Sequence, residues 1–169
     1  MNKWKVDSTA STVEFSVPHM MVSSVKGKFE EFSGEIEGNA LDLAKSSVQF
    51  QVAVRSIQTD NKERDVHLCS QDFFDAQSFP YMSFLSRSIY LEKDNMYRMT
   101  GDLTIKQTTK KLLFCVTPLA PETFDARYLA EGKIKRKEFG LTWNRAIEAG
   151  GVMVGDTIDI QLTIAVKKK

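Results

Sequence analysis

The residues that could do chemistry are few. Two histidines and two cysteines occur in 169 residues, and His67-Leu68-Cys69 brings one of each close together. A thiol beside an imidazole could be a nucleophile with its base. On a helix, however, residues two apart point to different sides, and this spacing is not that of a zinc site. No metal is expected. Asp72 and Asp75 form a carboxylate pair, but in Asp72-Phe73-Phe74-Asp75 they read as turn and cap residues. No G-x-S-x-G elbow, phosphate-binding loop or dinucleotide fingerprint occurs, so no cofactor is expected either. What remains are polar side chains interrupting apolar segments: His19, Arg64, His67, Arg136 and Asn144. Buried polar groups need partners, so these residues either brace one element against another or stand at the entrance of a pocket.

The element that must position most of them runs from Arg55 to Pro80. Asp60 is placed to cap a helix beginning at Asn61, with Glu63 three residues on, and the helical segment is expected over about 60–75. Arg64, His67 and Leu68 share one face of it, while Val66, Cys69 and Phe73 share the next. Pro80 ends any helix there. A segment this apolar must lie against something, and the flank or mouth of a β-barrel would serve. Arg64 beside Asp65 is expected to be paired, as half-buried charges usually are.

Nearly everything else alternates with a period of two. Trp4 and Val6 open a short strand, and Val13, Phe15 and Val17 form another that ends at Pro18. Residues from Val25 to Gly38 read as one long strand whose alternation breaks between Phe29 and Phe32, implying a bulge near Glu31 or a bend at Gly34. Val48, Phe50, Val52 and Val54 lead into the helical segment. Met82 and Phe84, then Ile89 and Leu91, are followed by a turn at Lys93-Asp94-Asn95 and a return strand through Tyr97, Met99, Gly101, Leu103 and Ile105. A turn at Gln107 to Thr109 leads to Leu112, Phe114 and Val116, and Pro118 to Asp125 reads as loop. Ala130, Gly132 and Ile134 precede Arg136, Gly150-Gly151 make a turn, and Ile158, Ile160, Leu162 and Ile164 close the chain.

Many strands, short turns and one short helical insertion imply an all-β domain over 1–169, an antiparallel sheet closed into a barrel of about eight strands. Closure removes the exposed edges of long apolar strands. A barrel of that size is either filled by its side chains or open to one small ligand. The expected inward set is Phe15, Val17, Phe50, Val52, Phe84, Met99, Leu103, Phe114, Ile160 and Leu162. Strands of about ten residues at ~3.3 Å each would give a barrel ~33 Å long before tilt. In Leu112 to Val116 both faces are apolar, so Leu113 and Cys115 need cover from the helix or from a second subunit.

Charge excludes some partners. Twenty-three basic against twenty-two acidic residues leave +1, which does not recruit nucleic acid or anionic membranes. The closing Lys167-Lys168-Lys169 reads as a solvated tail. No apolar run reaches the ~18 residues of a spanning helix, so no stable membrane insertion is expected. The N-terminus has no signal-peptide core, and two free thiols suit a reducing compartment; a cytoplasmic protein is expected.

Four blocks closely resemble the YceI-like family: VEFSVPHMMVSSVKGKF (Val13 to Phe29), SIQTDNKERDVHLCSQDFFD (Ser56 to Asp75), GDLTIK (Gly101 to Lys106) and RKEFGL (Arg136 to Leu141). Trp4, Asp7 and the Val154-Gly155-Asp156 turn fit it too. Ala10, Gln107 and Glu138 depart from its pattern, standing where His, Gly and Asp are usual. The resemblance implies an extended, lipocalin-like barrel holding a polyisoprenoid or other long-chain amphiphile, and a homodimer. A barrel ~33 Å long before tilt is enough for an extended polyprenyl tail. The expected function is storage, transport or shielding of that lipid without catalysis, with His19, Arg64, His67, Arg136 and Asn144 as head-group contacts or braces. The alternatives are an enzyme acting on such a lipid through His19 or His67, and a structural barrel with a solid core.

Overall fold

Alternating side chains need two different environments, and closing the sheet supplies them. A computed structural model of the chain, which describes residues 2–18, 24–141 and 156–169, shows one antiparallel sheet closed on itself. Its strands are β1 (Lys3–Val6), β2 (Thr12–Pro18), β3 (Ser24–Phe29), β4 (Phe32–Glu37), β5 (Ser47–Ala53), β6 (Ile57–Gln58), β7 (Tyr81–Leu91), β8 (Tyr97–Ile105), β9 (Thr108–Leu119), β10 (Ala126–Lys135) and β11 (Thr157–Lys168). Among the described residues one α-helix, α1 (Lys62–Leu68), lies between β6 and β7.

The eleven strands make eight staves. β1 and β2 lie end to end along β11, β3 and β4 continue them, and β5 and β6 pair with β4 and β3 respectively. The first three staves are therefore each broken once. The remaining staves are β7, β8, β9, β10 and β11, and β11 closes the ring onto β1 with Trp4 opposite Lys168. The terminal lysines thus belong to the closing seam instead of forming a free tail, and Lys169 Nζ reaches Glu35 at 2.9 Å.

The stretch from Val25 to Gly38 is two strands. The chain turns a corner at Glu30-Glu31, where Glu30 N–H donates to the Ser56 carbonyl (3.2 Å) and the Glu31 carbonyl accepts from Ala53 N–H (2.9 Å). Gly34 stays within β4. In β7 the inward parity switches from Met82 and Phe84 to Ile89 because of a bulge between Ser86 and Ser88, and Leu91 ends exposed. The hairpin between β8 and β9 is tighter than expected: Thr108 already pairs with Ile105, and Lys106 adopts φ 57°. β9 also runs on through Pro118 to Leu119, shortening the following loop.

The helical segment begins one residue later than expected. Asn61, not Asp60, is the N-cap and accepts from Arg64 N–H (3.0 Å), while Asp60 takes a left-handed φ of 60°. The helix ends at Leu68 and turns follow through Phe79. Val66, expected beside Cys69 and Phe73, is 73% exposed. Leu68, Phe73 and Phe74 are buried against the barrel interior, and Lys106 Nζ donates to the Phe73 carbonyl (2.9 Å), fastening the segment over one end. The other end is stopped by a 3-10 turn at Leu43–Lys45, capped by Asp42. Ala40 and Leu43 are buried there, and the Tyr128 hydroxyl donates to the Ala40 carbonyl.

Candidate functional site

The barrel is hollow. Along β11 the inward residues Ile158, Ile160, Leu162 and Ile164 are only half-buried, although they face the interior. Phe15, Val48, Phe50 and Met82 share that state. Their exposure is to an internal lumen with about 180 Å³ open to the centre of a water molecule. All ten residues expected to face inward line it: Phe15 and Val17 on β2, Phe50 and Val52 on β5, Phe84 on β7, Met99 and Leu103 on β8, Phe114 on β9, and Ile160 and Leu162 on β11. From Ile158 to Ile164 the lining spans six residue steps, about 20 Å of strand. This is shorter than the full strand length, because the Ala40–Leu43 turn and Tyr128 occupy the closed end.

Sequence reasoning missed part of the wall. Leu68, Phe73 and Phe74 also line the lumen. The signal available was their apolarity in a segment already expected to lie against the barrel; its direction was not readable. Among the described residues, Thr59 and Tyr128 are the buried polar side chains on the wall, and both have their polar atoms engaged. Thr59 Oγ1 donates to Asp65 and accepts from Arg64 Nε (2.9 Å), which leaves its methyl toward the interior beside Gly27. Burial, with Tyr97 and Asp42 nearby, pushes the Tyr128 phenol well above its ordinary range, so it stays a neutral donor. Glu35 borders the lumen between the inward positions of Gly34 and Ile36. Its carboxylate is held below the usual range by the hydrogen bond from Lys169, with Lys3 adding to it.

Of the polar residues singled out from the sequence, Arg64, His67 and Arg136 do not line the lumen. Arg64 binds Thr59 twice, through Nε to Oγ1 and through a terminal nitrogen to the carbonyl (2.8 Å), while Asp65 accepts from Thr59 N–H (3.0 Å). Arg64 and Asp65 thus both anchor α1 through Thr59 instead of pairing with each other. His67 Nε2 lies 2.9 Å from Asp72. Arg136 is fully buried. One of its terminal nitrogens donates to the Leu141 carbonyl (2.6 Å), and another lies 3.9 Å from Asp156. Burial lowers its pKa and Asp156 opposes that shift. It folds the Phe139-Gly140-Leu141 turn back on itself, with Gly140 left-handed at φ 75°. His19, Asn144 and the Gly150-Gly151 turn lie outside the described residues.

Among the described residues, the candidates for nucleophilic chemistry are poorly placed for it. Cys69 is half-buried, its thiol pKa raised by burial and then by Asp65, the opposite of an activated nucleophile. Asp75 serves as a turn, its carbonyl accepting from Ser78 and Phe79 N–H. Among the described residues no group of three or more His, Cys, Asp or Glu could hold a metal ion, and no helix is long and apolar enough to cross a membrane.

Eight antiparallel staves around an apolar lumen, with a helical segment over one end, define the class of hollow β-barrels. Within it, the chain belongs to the YceI-like domain family, whose model matches residues 4–166. A UPF0312 protein of Staphylococcus epidermidis is 33% identical over 168 residues, covering 95% of both chains. One from Staphylococcus aureus is 33% identical over 167 residues with the same coverage. The crystal structure of Burkholderia cenocepacia BcnA has a TM-score of 0.82 at 26% identity, covering 94% of this chain and 98% of its own. The structure of a polyisoprenoid binding domain from Saccharophagus degradans, implicated in plant cell wall breakdown, shares the fold at a TM-score of 0.72 and 14% identity, with 98% of both chains covered.

Proposed function

We propose that this chain binds a polyisoprenoid or similar long-chain lipid, with the hydrocarbon in the lumen, to store, carry or shield it and without transforming it. One observation carries the reading: an interior whose apolar side chains stay accessible while its buried polar groups, on Thr59 and Tyr128, are already bonded. Among the described residues such a space favours hydrocarbon over a polar substrate. Each methylene entering it is worth about 0.8 kcal/mol, so the tail governs affinity. A solid core would fill the space itself. The polyisoprenoid-binding description of the Saccharophagus relative supports an isoprenoid over other lipids.

The test is solvent extraction of protein purified from its native host, followed by mass analysis. A long-chain lipid in near-stoichiometric amount is expected, recovered unchanged after incubation. Protein that yields no lipid and takes up no polyprenol from detergent solution would overturn the reading.

A further inference from the structure

Large rings on the lumen wall face glycines on neighbouring strands. Phe15 pairs across the sheet with Gly27, Phe50 with Gly34, and Phe114 with Gly132. Phe84, whose own partner is Leu103, leans over Gly101 two residues along the register. A methyl group added at Gly27 would stand 2.4 Å from Phe15 Cζ; at Gly34, 2.5 Å from Phe50 Cδ2; at Gly101, 2.5 Å from Phe84 Cζ. At Gly132 it would stand 3.1 Å from Phe114 Cδ1. Carbon atoms in good contact sit about 3.5–4.0 Å apart, so each ring occupies the room its glycine leaves. The pairs are joined by register. One row crosses six neighbouring strands through Met99, Phe114, Gly132, Ile160, Phe15 and Gly27, and a second passes Gly34, Phe50 and Phe84.

We propose that these glycine–phenylalanine pairs gauge the bore of the lumen and thereby admit methyl-branched chains. A phenyl ring lying over a glycine hugs the wall. With any side chain beneath it, the backbone blocks retreat and the ring must swing toward the axis. A straight chain passes a narrower bore than an isoprenoid, whose methyl groups project sideways. Phe15 and Phe50 are the rings to move, because a methyl at Gly27 or Gly34 meets only side-chain atoms at closest approach, whereas at Gly101 it would also meet the Leu85 carbonyl at 2.4 Å.

This inference rests on the lumen holding a hydrocarbon chain. The test compares an all-trans polyprenol with a straight-chain alcohol of equal main-chain length, by competition binding to the wild-type protein and to Gly27→Ala, Gly34→Ala, Phe15→Leu and Phe50→Leu. The alanine variants should lose preference for the branched chain by roughly fourfold for each methyl group denied contact. Phe15→Leu in the Gly27→Ala background should restore it, and the leucine variants alone should favour branched chains at least as strongly as wild type. If wild type binds neither alcohol, the lipid reading fails and the gauge with it. If wild type binds and folded alanine variants keep its preference, the gauge alone is overturned. Where an alanine variant does not fold, a leucine variant that weakens branched-chain preference overturns it equally.

Discussion

Leu162→Trp separates a hollow barrel from a solid one. Leu162 sits mid-strand on β11, opposite Val13 on β2 and Ala130 on β10, is half-buried, and lines the lumen. Neither neighbour is a glycine that would let a ring lie against the wall, so an indole there projects into the lumen. In a packed core that enlargement would cost about 1–3 kcal/mol. In this barrel it fills space already present, and stability should change by less than ~1 kcal/mol. The cost appears in binding. An indole across the bore displaces on the order of three chain carbons, and at about 0.8 kcal/mol each this weakens long-chain binding roughly fifty-fold. Short prenols that stop before the block keep their affinity. The assay is fluorescence competition with prenols of increasing length, beside circular dichroism and chemical denaturation. Stability lowered by 1–3 kcal/mol with chain-length preference unchanged would refute a hollow lumen.

Three further outcomes follow from the same geometry. Thr59→Val removes the hydroxyl that joins Arg64 to Asp65, and Arg64→Ala removes its two bonds to Thr59. Each should lower stability by about 1–3 kcal/mol in denaturant melts, and unchanged melting with lost lipid binding would instead place Arg64 at the head group. Leu113 is 39% exposed on the outer face of β9, so Leu113→Asp should convert a dimer to monomer in sedimentation by stranding a charge in a dry contact; a parent already monomeric at high concentration removes that expectation. Tyr128 has a folded pKa above its unfolded one, chiefly through burial. Its contribution is therefore intact below about pH 10 and erodes as pH rises toward the folded value. The melting temperature should fall above that pH, less steeply in Tyr128→Phe, and identical alkaline profiles in the two proteins would refute the assignment.

Period-two alternation made β2, β8 and β11 legible, because a strand with one face on a lumen must alternate whether or not the lumen is filled. The corner at Glu30-Glu31 showed only as broken alternation. What splits the strand is a latch to Ala53 and Ser56, residues more than twenty positions away. The helix start was misplaced by one residue because Asp60 and Asn61 are equally good caps; the left-handed turn at Asp60 decides it. Arg64 with Asp65 reads as a brace between helix and barrel because half-buried charges need partners, but the partner is not in the pair itself. Both instead hold Thr59, whose place beside the lumen depends on β6 reaching β3.

Whether the inward set encloses a core or a channel is a different kind of question. Phe15, Phe50, Phe84 and Phe114 are as large as any core residues, and counted by size they would fill the barrel. They do not, since three of them have glycine as their direct cross-strand partner. Size is a property of a residue, but occupancy is a property of a pair. The pairs are set by register, and register by corners and bulges: the Ser86–Ser88 bulge, for one, brings Gly101 beside the Phe84 ring. Moving a strand by one residue would turn its glycine outward and bring a polar neighbour such as Lys28 or Glu35 inward, and the ring would lose the room it occupies. The lumen is therefore written in the alignment of the strands, one level above the alternation that a sequence displays.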